Sequence, residues 1–185
     1  MTRTVSLSTL VSEDELKSLH AGQSVSISGR LLTARDAAHK RFLDCLNRDE
    51  PLPVDLSGHI IYYVGPTPAR PGEPIGSAGP TTSARMNDYA PALLKSGLKG
   101  MIGKGEMSAE VEQALQQYTA VYFVSVGGAA ALIAKAVQKS RIIAYKDLGP
   151  EAVRELTVKD FPAIVAQDCH GGNIFRQGRQ KYQRQ

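Results

Sequence analysis

Polar and apolar residues change their spacing several times along the chain, and each change predicts a new element. Residues 12–20 open on Ser12 with Glu15 three positions later, the spacing of a capping box, which predicts a short helix. Over 23–33, Val25 and Ile27 alternate with serines, the two-residue period of a half-buried strand. Over 35–48, Ala38, Phe42 and Leu46 recur every four residues and predict a helix with one apolar face. The run HIIYYV at 59–64 is strongly β-prone. Residues 65–80 are dense in proline and glycine, the composition of a linker or an irregular functional loop, and so long a run inside one compact chain favours the functional loop.

Helical spacing returns over 83–96 and 108–118, on either side of an apolar patch at 100–102 that ends in Gly103-Lys104-Gly105. The run AVYFVSV at 120–126 has the pattern of a buried strand and leads through Gly127-Gly128 into a helix over 129–139. Short strands follow at 141–145 and 161–166. Strands and helices alternate, so the predicted fold class is α/β. A length of 185 residues fits one domain, 1–185, with a basic, mobile C-terminal tail from about Arg176.

Composition narrows the picture. The chain is 42% hydrophobic, which excludes wholesale disorder, and it has no Trp, so its core is built mainly from Val, Ile, Leu and Ala. The net charge of +4 favours acidic partners. Arg176, Arg179, Lys181 and Arg184 account for all of it, leaving the rest of the chain neutral. Such a run reads as a solvated end or a subunit contact, and without interleaved aromatics a nucleic-acid partner is not expected. Cys45 and Cys169 stand far apart with no metal-ligand spacing, which suits a reducing compartment. No apolar run reaches membrane-spanning length and the N-terminus lacks a secretory pattern, so the expectation is a soluble cytoplasmic protein with no membrane partner.

Four segments carry candidate chemistry. In Gly79-Pro80-Thr81-Thr82-Ser83-Ala84-Arg85-Met86, a forced turn precedes hydroxyls at a helix start, with Arg85 one turn in. That arrangement suits an anion, or is simply a capped helix with a surface Arg. Arg35 and His39 are four apart, which on one helix face would bind a carboxylate and exchange protons. The plainer alternative is a polar face in which Asp36 favours the helix dipole and His39 is solvated. Lys104 between two glycines presents a single ammonium, or marks a surface turn. Gly127-Gly128 offers a tight turn for phosphate or carboxylate, or mere close packing, and lacks the full GxGxxG pattern.

Together these segments resemble the C-terminal region of class I fumarases and the matching small (beta) subunits of two-subunit fumarases and tartrate dehydratases. GPTTSARM resembles that family's Gly-Pro-Thr-Thr-x-x-Arg-Met signature, and Arg35, Asp36 and His39 its Arg-Asp-x-x-His motif. Gly103-Lys104-Gly105 matches its glycine-flanked lysine turn, with further matches at 59–66, 126–131 and 160–165. The likeness spans about residues 22–175.

The resemblance implies a single swivelling β/β/α domain. It implies that Arg35, Arg85 and Lys104 bind a small dicarboxylate, and that Thr81, His39 and Lys104 act in catalysis, Thr81 as the proton-moving base. Thr81 is a poor base by itself and would need a carboxylate partner. Family enzymes hold a [4Fe–4S] cluster with three cysteines and leave one iron open as a Lewis acid. Cys45 and Cys169 are too few and match none of those positions. The expected cofactor is therefore a cluster held by a large (alpha) subunit, in a hetero-oligomer where this chain binds no metal and is inactive alone. Fumarate–malate interconversion is the first expectation and tartrate dehydration the alternative. A non-catalytic carboxylate-binding module is the alternative of another class.

Overall fold

The apolar run at 59–64 becomes β3 (Ile60–Tyr62), buried on both faces, and the sheet is built around it. A computed structural model describes residues 4–125 and 130–183. Strands β1 (Val5–Ser8), β2 (Ser24–Thr33), β3, β4 (Gly100–Gly103) and β5 (Val121–Val124) lie side by side and parallel. Strand β6 (Val137–Ala144) and the long β7 (Val153–Gln167) complete a seven-stranded sheet. β7 runs antiparallel to β2, β5 and β6. Because β7 pairs with both β2 and β5, the strands β2-β3-β4-β5-β7 close into a ring, with β1 and β6 outside it. The class is α/β, as the alternation predicts.

Successive residues of the central strands point to opposite faces, and each face has its own core. Tyr62, Ile102 and Phe123 join Ile27, Leu31 and Phe161 in one cluster. Ile61, Tyr63, Met101 and Tyr122 join the other, covered by α2 (Asp36–Asn47), α3 (Ala90–Lys95) and α4 (Ala109–Gln117). Upstream, α1 (Glu13–Lys17) carries the expected capping box, in which Ser12 Oγ accepts from Glu15 N–H and the Glu15 carboxylate accepts from Ser12 N–H. Residues 65–80 form no strand or helix.

Three elements differ from expectation. The helix over 83–96 is two pieces, a 3-10 turn at Ser83–Met86 and then α3. Pro91 explains the break: it lacks an N–H and would clash with the carbonyl four residues back, yet it is tolerated in a first turn. The helix after β5, α5 (Ala130–Ala136), stops short of Lys139 because β6 already begins at Val137. There, pairing of Val137 with Val158 and of Lys139 with Thr157 outweighs local helical spacing. The segment from Arg176 belongs to a helix, α6 (Ile174–Tyr182), capped by Asn173. Arg176 makes a two-pronged pair with Glu112, and Arg179 with Glu106. Two of the four tail charges are thus spent on α4 and the loop before it. Among the described residues no helix is long and apolar enough to cross a membrane.

Candidate active site

Parallel strands deliver their carboxyl ends to one edge of the sheet, the usual place for a ligand crevice in α/β folds. β2 leads there into Arg35, β3 into residues 63–65, and β4 into Lys104. Backbone pairs tie these exits to the segment at 79–86. Thr81 N–H donates to the Tyr63 carbonyl at 2.7 Å, Lys104 N–H to the Thr81 carbonyl at 3.2 Å, and Ser83 N–H to the Lys104 carbonyl at 2.9 Å. Thr82 and Lys104 therefore pair as a short parallel bridge. The GPTTSARM segment and the glycine-flanked lysine form one unit.

Gly103 makes that approach feasible. A Cβ at this position would overlap Ser83 Oγ and lie 3.0 Å from Tyr63 Cδ2. Below it, the Tyr122 hydroxyl lies 2.8 Å from Ser83 Oγ and 2.7 Å from the Gly105 carbonyl oxygen. Thr81 is half-buried, while Arg85 and Lys104 are exposed. The helix start expected to bind an anion through free amides takes another form. Thr81 and Ser83 have spent their amides on Tyr63 and Lys104, and Thr82 caps nothing.

Arg35 is the extended residue before α2, with φ −146°, and so lies outside the helix. The shared face inferred from four-residue spacing does not form, because that geometry needs both residues to be helical. Arg35 Nε instead donates to Asp36 Oδ2 at 3.1 Å and lies 3.5 Å from Glu151 Oε1. Arg85 Nη2 donates to the same Asp36 oxygen at 2.6 Å. Asp36 thereby couples two guanidiniums from distant segments. Burial pushes its carboxyl up, but its own backbone hydrogen bond, Arg35 and Arg85 together outweigh this and hold it below the ordinary range. Each guanidinium has five N–H donors, so both keep donors free for a forked carboxylate contact. Asp36 and Glu151 offset the two arginines, and Lys104 adds the site's remaining positive charge.

His39 lies beneath this arrangement and is fully buried. Its Nδ1 is 3.0 Å from the Arg35 carbonyl oxygen, which can only accept, so the proton sits on Nδ1. Nε2 is buried without a partner, beside the rings of Tyr63, Tyr89 and Phe42. Burial pushes the imidazole pKa down to about 4, against the raising pulls of the Arg35 carbonyl and of Asp36. The folded value thus lies below the ordinary 6.5, so stability is full above about pH 6.5 and is lost as pH falls toward 4. The loss should reach about 3 kcal/mol. Denaturant titrations near neutrality and near pH 4 should show His39→Gln losing far less over that interval than the native chain. An equal loss in both would remove His39 as the cause.

Two residues central to this geometry have partners that the sequence does not mark. Asp36 stands in the Arg-Asp-x-x-His motif and reads locally as a favourable charge at a helix start, with no sign of its pair with Arg85. Glu151 accepts from Ala37 N–H at 2.8 Å across a separation of 114 residues, which no local pattern reveals. Gly127 and Gly128 lie outside the described residues. The two thiols stand apart from the site: Cys45 lies 3.8 Å from the Tyr145 hydroxyl and Cys169 3.7 Å from His170 Nε2. Among the described residues no three His, Cys, Asp or Glu side chains gather as a metal site. A cluster held by three thiolates does not fit this chain's own donors.

An α/β fold whose strand ends join the segments of Thr81, Arg85 and Lys104, with Arg35 linked through Asp36, defines a class suited to small anionic ligands. Within it, the chain belongs to the Fumarase C-terminus family, whose model matches residues 1–178. It is 39% identical over 177 residues to a putative L(+)-tartrate dehydratase subunit beta of Methanocaldococcus jannaschii, covering 92% of this chain and 91% of that one. It is 36% identical to a putative fumarate hydratase class I of Geobacillus stearothermophilus, covering 93% of this chain and 34% of that protein. It is also 36% identical to the anaerobic class I fumarate hydratase of Escherichia coli, covering 83% and 28% respectively. The chain thus spans nearly all of the beta subunit and about a third or less of these fumarate hydratases.

Proposed function

We propose that this chain is the small subunit of a hydro-lyase for four-carbon dicarboxylates, with fumarate hydration to malate as its reaction. The reading rests above all on the backbone bridge that brings Thr81, Arg85 and Lys104 together, with Arg35 joined through Asp36. Arg35 and Arg85 grip the carboxylates of a dianion, and Lys104 offsets one of its two charges. Thr81 moves the proton at the carbon beside a carboxylate, activated by a carboxylate group of the large subunit. His39, too deep to meet substrate, acts as a positioning residue that fixes the Arg35 carbonyl.

In this reading the [4Fe–4S] cluster belongs to the large subunit, where it would polarise the departing hydroxyl. The chain folds as one swivelling β/β/α domain over 1–185 and works in the cytoplasm, in a hetero-oligomer. Tartrate dehydration is the second reading, favoured by the beta-subunit relative of nearly equal length.

Anaerobic co-expression with a cluster-bearing large subunit allows fumarate, malate and tartrate to be compared in one preparation. The expected result is the highest kcat/KM for fumarate or malate. A monocarboxylate analogue such as crotonate should fall about 100-fold or more below, because one arginine loses its partner. A loaded complex that turns over no diacid would sink the proposal. Preference for tartrate would select the second reading.

A further inference from the structure

A cation outside the candidate site has a buried donor with no partner among the described residues. Arg154 lies on β7, opposite Thr33 of β2 and Ile142 of β6, and its backbone N–H donates to Thr33 Oγ1 at 3.1 Å. The backbone is fixed, yet the side chain's Nε is buried with no hydrogen-bond partner. Its acidic neighbours are committed elsewhere. Glu151 serves Arg35 and the Ala37 amide, while Glu155 pairs with Arg30 and Arg141. A buried donor without a partner costs about 1–3 kcal/mol, so some acceptor is expected to satisfy it.

Arg154 lines a cavity of about 280 Å³ whose other walls include Pro66, Pro68, Pro74, Ile75 and Pro150. Four proline rings stiffen the walls and bring no N–H of their own, so a ligand there meets one guanidinium against a mixed wall of apolar rings and the polar Thr67. That chemistry fits a small carboxylate with a short carbon body. The cavity is also the neighbour of Arg35. A Cβ at Gly65 would lie 3.0 Å from Arg35 Nη1 and 3.6 Å from the Pro150 carbonyl oxygen, so Arg35 and the Pro150 wall both lie against Gly65.

We infer that Arg154 and its proline-walled cavity form a second binding subsite for a free small carboxylate, distinct from the Arg35–Arg85–Lys104 set. The subsite lies wholly within this chain and stands whether or not the hydro-lyase reading holds. Its place beside Arg35 makes it a point where a diacid substrate or product can be held outside the reacting position.

Arginine side-chain NMR on the full chain tests this directly, with succinate, acetate and inorganic phosphate as probes. The Arg154 Nε–H resonance should shift saturably with succinate and acetate, and do so equally in an Arg35→Ala/Arg85→Ala double variant. In Arg154→Gln the binding should weaken about ten-fold or more with the backbone amide spectrum otherwise retained. Arg154→Lys should keep part of the affinity, which separates lost charge from lost fold. An Arg154 resonance that ignores both carboxylates would overturn the inference, leaving the cavity to water or to a side chain of the large subunit. So would a response abolished by the Arg35/Arg85 double variant, or one confined to phosphate.

Discussion

Replacing Thr81 with alanine in the assembled enzyme should lower turnover about 100- to 10,000-fold and leave the subunits associated. The structural part of that expectation follows from which atoms of Thr81 hold the fold. Its N–H is bonded to Tyr63 and its carbonyl accepts from Lys104, and both belong to the backbone. Loss of the hydroxyl therefore leaves the bridge to Lys104 intact and removes only what the side chain contributes. Steady-state rates, with size-exclusion chromatography on the same samples, separate chemistry from assembly. Thr81→Ser restores the hydroxyl and should recover most of the rate. Undiminished turnover in Thr81→Ala would take Thr81 out of the proton transfer.

The second large effect is expected from a residue that touches no substrate. Gly103→Ala places a methyl where Ser83 Oγ already sits, with Tyr63 Cδ2 close behind. Both neighbours belong to packed, fully buried side chains, so the bridge between Thr82 and Lys104 must open. Overpacking of this kind costs about 1–3 kcal/mol of stability. Displacing Lys104 from the diacid should also lower kcat/KM about 100-fold. A second change, Ser83→Ala, removes the overlapping oxygen and should return part of both losses, the signature of two sites in contact. Denaturant midpoints and kinetics on the single and double variants check this. Wild-type behaviour of Gly103→Ala would mean that the close approach is not needed.

Much of the fold is legible in the sequence because its elements are marked locally. The capping box at Ser12–Glu15, the alternation around Val25 and Ile27, and the run at 59–64 each appear as predicted. What local pattern cannot reveal is the closure of the ring. It depends on β7 pairing with strands forty or more residues away on one side and more than a hundred on the other. The same long reach hides β6, whose first residues look helical until β7 is beside them.

The candidate site divides along the same line. Thr81, Arg85 and Lys104 stand out as residue types in telling contexts, and the structure brings their segments together. Glu151 orients Arg35 from a position that reads as ordinary surface charge, and Asp36, though marked by its motif, shows no local sign of its pair with Arg85. His39 shows the converse, since four-residue spacing from Arg35 suggested a shared face but Arg35 stands just outside the helix. The family likeness supplies the roles; the packing supplies the reasons the residues can meet.

Complementation tests the central claim most directly. Purified large subunit, loaded anaerobically with its cluster, is titrated with this chain while fumarate hydration is followed. Turnover should rise saturably from near zero as the chain is added, and the Arg35→Ala/Arg85→Ala double variant should bind equally well yet restore almost nothing. A large subunit that reaches the full rate alone, or a double variant that complements fully, would contradict the assignment of the dicarboxylate grip to this chain.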